Sequence, residues 1–338
     1  MPSDRRRPVT DFALQSSSMS DVESPSRAKV LARLRLGDAA FRIVTRSAAF
    51  FVLILLSGVI VSLIIGSMPA LQTFGFDFVT TQSWNPVTEK FGALAPIYGT
   101  LITSLIAMLI AVPVGLMVAF FLTELCPQWL RRPIAIAIEL LAGIPSIIYG
   151  IWGLFVFAPF MQVHIQPLLI SFFGPIPGLS TLFAGPPYGI GMLTAGLILA
   201  IMVLPFITSI SRDVFDAVPS VLKEAAYGVG CTTWEVVRNV VIPYTRVGVI
   251  GGIMLALGRA LGETMAVTFI IGNSFKISSS IFAPGTTISA AIASEFAESD
   301  GLHQSGLILL GLLLFVLTFF VLAAARLMLM RLEKKAGN

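Results

Sequence analysis

Charge is what this chain has least of. Only 12% of its 338 residues are Asp, Glu, Lys or Arg, where a soluble domain carries about 25%. Positions 47–76, 91–123 and 140–211 hold none of the four. A water-soluble surface cannot be built from stretches of that kind, so a soluble globular domain is excluded. Cysteine is nearly absent too. Cys126 and Cys231 form no CxxC pair and no Cys/His cluster, which excludes a disulfide scaffold and a zinc module. His164 and His303 are lone residues in the sequence, read as surface residues of outer loops and not as metal ligands. No lysine follows a glycine, so the GxxxxGK[ST] phosphate loop is missing and no ATP-hydrolysing site is expected in this chain.

What the chain has is hydrophobic length. Its composition is 56% hydrophobic, and a hydrocarbon core of about 30 Å needs about 20 apolar residues in helix. Read against the Pro, Gly and charge punctuation, six spans are expected, at 48–68, 97–122, 133–158, 188–210, 247–272 and 305–325. The fold class is therefore an all-α polytopic membrane protein with six transmembrane helices. All Lys and Arg except Lys90, Lys276 and Arg259 fall in the N-terminal segment, the second-to-third and fourth-to-fifth connections, and the C-terminus. By the positive-inside rule those segments, and so both termini, are cytoplasmic. The basic pI near 9.3 then reflects topology, because the cations are dispersed over membrane flanks and do not form a nucleic-acid patch. The expected location is the bacterial cytoplasmic (inner) membrane, crossed several times.

Three regions follow. Residues 1–46 form a cytoplasmic extension, expected to be disordered to about 26 and then a basic amphipathic helix that anchors topology or meets anionic lipid. Residues 47–330 form the membrane domain, and 331–338 a cytoplasmic tail. The first apolar stretch lies too far from the N-terminus for a cleaved signal and should stay as an anchor. Two long outer loops are expected at 69–96 and 159–187, the second rich in Gly and Pro; either connection or docking of an outer partner would use them. In the third span, ELLAGIPSIIYG, Pro145 should kink the helix, and Glu139 is read as structural, near the cytoplasmic interface.

The longest inside loop, 211–246, is patterned like structure. Pro219 opens a short helix through Tyr227, ended by Gly228 and Gly230. Thr232 and Glu235 form a capping box for TTWEVVRNVVI, which Pro243 should terminate. Glu224-Ala225-Ala226, three residues, Gly230, nine residues and then VVIP ending at Pro243 resembles the EAA loop of ABC importer permeases. Only the apolar identities at Val240 and Ile242 depart from that pattern. The resemblance implies the type I ABC importer permease fold and a coupling element that seats in a separate cytoplasmic ATPase. Glu224, Ala225, Ala226, Gly230 and Pro243 are then the coupling residues. ATP and Mg belong to that partner, with no cofactor in this chain.

Within the fifth span, GRALGETMAV carries Arg259 and Glu263. A charge at mid-bilayer costs roughly 2.5–3.5 kcal/mol even on lenient scales. Counted from Val247, they lie about 18 and 24 Å in, and at i, i+4 on one helix they share a face. Gly258 and Gly262 thin the helix beside them. An internal salt bridge is one reading; a translocation pathway or gate is the other. Arginine offers a planar fork for phosphate oxygens, and glutamate accepts the proton that phosphate carries near neutral pH and sulfate lacks.

GALAPIYGTLITSLIAMLIAVPVGLMVAFFLTE, LAGIPSIIYG and GRALGETMAV resemble phosphate-specific ABC permeases, and LGETMAV the PstC branch of that family, over about residues 48–330. The resemblance implies a PstA-like permease partner in a heterodimer, two PstB-like ATPase subunits and an extracytoplasmic PstS-like phosphate-binding protein. It also carries a transport role onto Arg259 and Glu263. The alternatives are a permease for another oxyanion (molybdate, sulfate or phosphonate), an ion-coupled secondary transporter in which the two charges relay protons, and a scaffold subunit indifferent to both.

Overall fold

In the computed structural model, which describes residues 25–336, six helices are long and apolar enough to cross a membrane. The described chain is helical almost throughout. We number its main helices α1 (Pro25–Phe74), α2 (Leu94–Phe120, prolonged by a wide turn to Leu125), α3 (Gln128–Ala142), α4 (Ser146–Phe173), α5 (Met192–Asp216), α6 (Ser220–Gly228), α7 (Thr233–Leu261), α8 (Met265–Ile271), α9 (Ile288–Glu295) and α10 (Gly301–Ala336). The spanning set is α1 from Gly37, α2, α4, α5, α7 and α10 to Leu327. The six-span count therefore agrees with the sequence, while the bounds of three spans, the first, third and fifth, do not.

The chain divides into residues 1–62 and 63–338. In the first unit, residues 1–24 lie outside the described residues, and with them most of the segment expected to be disordered. From Pro25 the backbone is one continuous helix. Side chains from Gly37 to Ser62 are exposed almost without exception, including Phe41, Phe50 and Phe51.

The second unit is organised around α5, the most buried span, with 61% of its apolar window inside the protein. It packs closely on α2 because both present small residues. A Cβ on Gly196 would stand 2.7 Å from the Ile106 side chain, and one on Gly115 would stand 2.9 Å from Ile207. Ala107, Ala111, Ile198, Leu199, Val203 and Ile207 fill the seam, with Ala256 and Ala260 of α7 against it. Close approach of this kind replaces the hydrophobic drive that lipid cannot supply.

Prolines end fewer helices than the sequence suggests. The third span was expected at 133–158 with a kink at Pro145. Instead the chain breaks at Gly143–Ile144–Pro145, between α3 and α4, and α4 does the crossing. A proline disfavours helical backbone at the preceding residue and lacks the N–H that would continue the ladder, and here Pro145 adopts extended backbone (ψ 135°) as the cap of α4. Helix α4 then passes Pro159 and Pro167, each entered after a π-turn, Gly153–Phe157 and Met161–Ile165. The wider turn changes which N–H groups are needed, so a proline is accommodated. The outer loop after it accordingly starts at Gly174, not at 159.

Pro69 likewise stays inside α1, so the first outer loop begins after Phe74. Ser305 of α10 explains how. Its hydroxyl accepts from Ala70 N–H at 3.0 Å and donates to Gly66 carbonyl at 2.9 Å, relaying the bond that the helix opens there. The fifth span, expected at 247–272, in fact starts at Thr233 and stops at Leu261.

Candidate functional site

Two places carry the residues singled out by sequence. The first is the elbow between α5 and α7. Pro219 caps α6 in extended backbone (ψ 131°), and Gly230 takes φ +91°, a left-handed value that suits glycine and reverses the chain. The capping box is formed. Thr232 N–H donates to Glu235 Oε2 at 2.8 Å, and Glu235 N–H to Thr232 Oγ1 at 3.4 Å. Pro243, however, does not end the second arm. A π-turn at Val237–Val241 precedes it, and the helix runs on unbroken into the membrane. The elbow is thus a short helix, a glycine reversal and the protruding end of a spanning helix.

Glu224, Ala225, Gly230 and Pro243 are exposed and Ala226 half-buried. Around them stand bare apolar side chains: Val221, Val229 and Trp234 are 70%, 82% and 66% exposed. Small residues ringed by exposed apolar ones make a surface shaped for protein contact. Sequence reading missed what fixes its angle. Lys223 Nζ lies 2.5 Å from Glu124 Oε1, with the Glu124 side chain only 8% exposed, and this pair ties α6 to the end of α2. A second tie joins α3 to α5: Arg212 bonds Glu139 at 2.8 Å and Asp213 at 2.9 Å, and Arg131 pairs with Asp216. Glu139 is accordingly structural, as read.

The second place is the end of α7. The expected i, i+4 pair on one helix is not there. Helix α7 stops at Leu261, and Gly262–Glu263–Thr264 is a break before α8. Among the described residues no ion pair joins Arg259 to Glu263. Each is engaged elsewhere. The Arg259 guanidinium carbon lies 5.9 Å from the centre of the Phe206 ring on α5, within cation–π range. Glu263 Oε1 accepts the Ala266 N–H at 3.3 Å, covering a donor that the first turn of α8 leaves open. Arg259 is exposed and Glu263 half-exposed on the surface of the single chain. Depth counted from Val247 also lapses, because α7 starts at Thr233.

The helices that follow the two breaks, α4 and α8, pack on each other. A Cβ on Gly150 of α4 would stand 2.9 Å from Met265 carbonyl and 3.2 Å from Ala266 Cα of α8. Across the α3–α4 break, buried Tyr149 donates its hydroxyl to Leu141 carbonyl at 2.9 Å, an oxygen that also accepts the Ile144 N–H at 3.3 Å. Non-helical backbone at membrane depth is tolerated where it is packed on protein or lines a polar cavity. Discontinuous helices are a recurrent feature of transporter folds, and here one of the two breaks carries an arginine and a carboxylate. Gly258 of this segment meets Leu322 of α10 at ordinary contact distance, 3.5 Å for a built Cβ.

The start of α10 corrects one further reading. His303 is not lone: it lies in the first turn of α10 with Nε2 2.8 Å from Glu295 Oε2, and the same oxygen accepts from Trp84 Nε1 at 2.7 Å. Phe91 stacks on the imidazole and Phe275 on the indole. His164 stacks on Phe160. Cys126 and Cys231 are free thiols, each half-buried.

Comparison with known proteins places this geometry. Residues 111–334 match the family described as binding-protein-dependent transport system inner membrane component. The phosphate transport system permease protein PstC of Mesorhizobium japonicum is 69% identical over 92% of this chain and 96% of its own length. That of Pasteurella multocida is 59% identical over 89% and 94%. Among solved structures, a bacterial ABC transporter involved in the import of the acidic polysaccharide alginate shares the fold, with a TM-score of 0.58 at 14% identity over 90% of this chain and 99% of that one. With the matched region covering most of the membrane helices and both candidate sites, the chain belongs to the family of binding-protein-dependent transport system inner membrane components.

Proposed function

We propose that this chain is the permease subunit of an ATP-driven, binding-protein-dependent importer of inorganic phosphate, forming half of the pathway across the cytoplasmic membrane. The observation that carries the substrate is the near full-length similarity to permease proteins named for phosphate transport. That similarity disfavours the other oxyanions, and the exposed elbow gives an ion-coupled transporter no use for its most structured cytoplasmic loop.

In this reading a PstA-like chain completes the membrane pair, two PstB-like subunits bind ATP and Mg, and a PstS-like protein delivers phosphate from outside. The elbow, through Glu224, Ala225, Ala226, Gly230 and Pro243, seats in one ATPase on the cytoplasmic side, where the Lys and Arg bias also puts both termini. Because its second arm is continuous with α7, a push on the elbow is transmitted along one rigid helix to the break at Gly262. Arg259 stands in the last turn before that break, and its guanidinium presents parallel N–H donors to phosphate oxygens. Glu263, beyond it, holds the first turn of α8 and accepts a hydrogen bond from a protonated phosphate oxygen passing close by. Both groups are open to a partner or pathway in the single chain and are not spent on each other.

Uptake of labelled phosphate by the reconstituted complex, with and without the ATPase subunits, tests this reading. Uptake that needs them and ATP is the expected result. Uptake driven by an ion gradient without them would overturn it.

A further inference from the structure

We propose that the notch between α3 and the cytoplasmic-side end of α5 seats the headgroup of a zwitterionic phospholipid, one carrying both a phosphate and a primary ammonium group. The notch is a cavity of about 390 Å³ lined by Gln128, Arg131, Arg132, Arg212, Asp213 and Asp216. It is separate from the Arg259 break and from the elbow. Its leaflet follows from the orientation proposed above.

Helix α3 sets the depth of the notch. Its 15 residues, QWLRRPIAIAIELLA, reach about 22 Å at 1.5 Å per residue, short of a crossing. None is fully buried. Trp129 is 77% exposed; the two arginines follow, and from Pro133 onward Glu139 is the one charged residue of the helix, with Ile136 and Leu140 exposed. A tryptophan, then arginines, then a bare apolar face is the order in which a helix enters lipid from the headgroup level. The notch therefore opens where phospholipid headgroups lie.

Its lining has both signs. Three guanidinium groups suit phosphate oxygens, while Asp213 and Asp216, with side chains 65% and 42% exposed, remain able to accept N–H from an ammonium. The existing pairs of Arg212 with Glu139 and Asp213, and of Arg131 with Asp216, hold these side chains in place. Pairs this exposed are weak, so a headgroup can share their members. A purely anionic headgroup would bring a net negative charge to two carboxylates and no cation to offset it. Free phosphate would meet the same carboxylates and would leave Ile136 and Leu140 unused.

The test counts lipid by mass spectrometry on the purified whole complex, after exchange against vesicles of phosphatylethanolamine-type, phosphatidylcholine or phosphatidylglycerol lipid. The ethanolamine lipid should resist removal. The choline lipid has the same phosphate without N–H donors and should be held about tenfold less, the worth of one charge-assisted hydrogen bond. Arg132→Gln should cut retention of the ethanolamine lipid by a similar factor. Asp213→Asn with Asp216→Asn should turn the preference toward phosphatidylglycerol. Equal retention of the three lipids by the unmodified complex would overturn the proposal, as would displacement of bound lipid by millimolar inorganic phosphate or indifference to Arg132→Gln in an assembled complex.

Discussion

The elbow and the break at Gly262 are both short, glycine-bearing interruptions, yet they are stabilised in opposite ways. The elbow is made by its own residues: Pro219 starts a helix, Gly230 reverses the chain at φ +91°, and Thr232 and Glu235 cap each other. The break is made by neighbours. Gly262 lies at φ −93°, which any residue adopts, and the interruption persists because α8 lies against α4 at Gly150 and because Glu263 covers an open N–H. A locally encoded turn makes a rigid handle. A break held by packing can change shape when its neighbours move. The first suits a surface that receives force, and the second a point that yields to it.

Breaking the handle should have the largest effect. Glu224→Lys, or Gly230→Val at its left-handed position, should reduce ATP-driven uptake by about a hundredfold while the subunit still inserts and pairs. A left-handed β-branched residue costs roughly 1–2 kcal/mol locally, far less than is needed to unfold the bundle, so the loss is one of seating. Uptake assays set beside co-purification of the ATPase check this, and normal uptake in an assembled variant would remove the coupling assignment.

Crowding the break comes next. Gly150→Leu puts a side chain where even a Cβ stands 2.9 Å from Met265 carbonyl. Overpacking of this kind costs typically 1–3 kcal/mol, and the α4–α8 contact is where it must be absorbed. Uptake should fall about tenfold or more, with a lowered unfolding temperature. Gly258→Ala, whose Cβ meets Leu322 at an ordinary 3.5 Å, should be tolerated.

The smallest effect separates the two duties of Glu263. Glu263→Gln keeps an oxygen for Ala266 N–H; Glu263→Ala does not. The alanine variant should be less stable than the glutamine variant by about 1 kcal/mol, the worth of one cap, while both transport poorly. Thermal unfolding of the two in the same complex measures the difference, and identical stabilities would mean that the Ala266 contact contributes nothing.

What the sequence made legible follows the same division. The elbow's cap, reversal and exposed Glu224-Ala225-Ala226 are dictated within a dozen residues and were read from them, as was the count of six spans. The misread boundaries turn on features that the local apolar pattern does not carry. Pro69 continues α1 because Ser305, 236 positions later, relays the opened bond. Pro159, Pro167 and Pro243 continue their helices because a π-turn precedes each, and the pattern of apolar residues does not reveal a π-turn. The break after Leu261 carries only the weak signal of Gly262 and a following Thr264, and an i, i+4 spacing across it looked like one face. His303 and Glu295 are eight residues apart with a 3₁₀ turn at Phe296–Glu298 and a loop between them, so no helical spacing linked them.

On this reading Arg259 and Glu263 act on what passes between them and a partner and do not serve as each other's counter-ion. It is tested most directly by the initial rate of labelled-phosphate uptake in the double variant Arg259→Gln with Glu263→Gln, alongside each single variant. If the charges offset one another, removing both restores what removing one destroys. With Arg259 over Phe206 and Glu263 on Ala266 N–H, no such rescue is expected, because distant or independently held groups show little coupling. The account expects all three variants to insert, with uptake by the double variant about a hundredfold below the unmodified complex and no better than that of Arg259→Gln. Near-normal uptake by the double variant would contradict it.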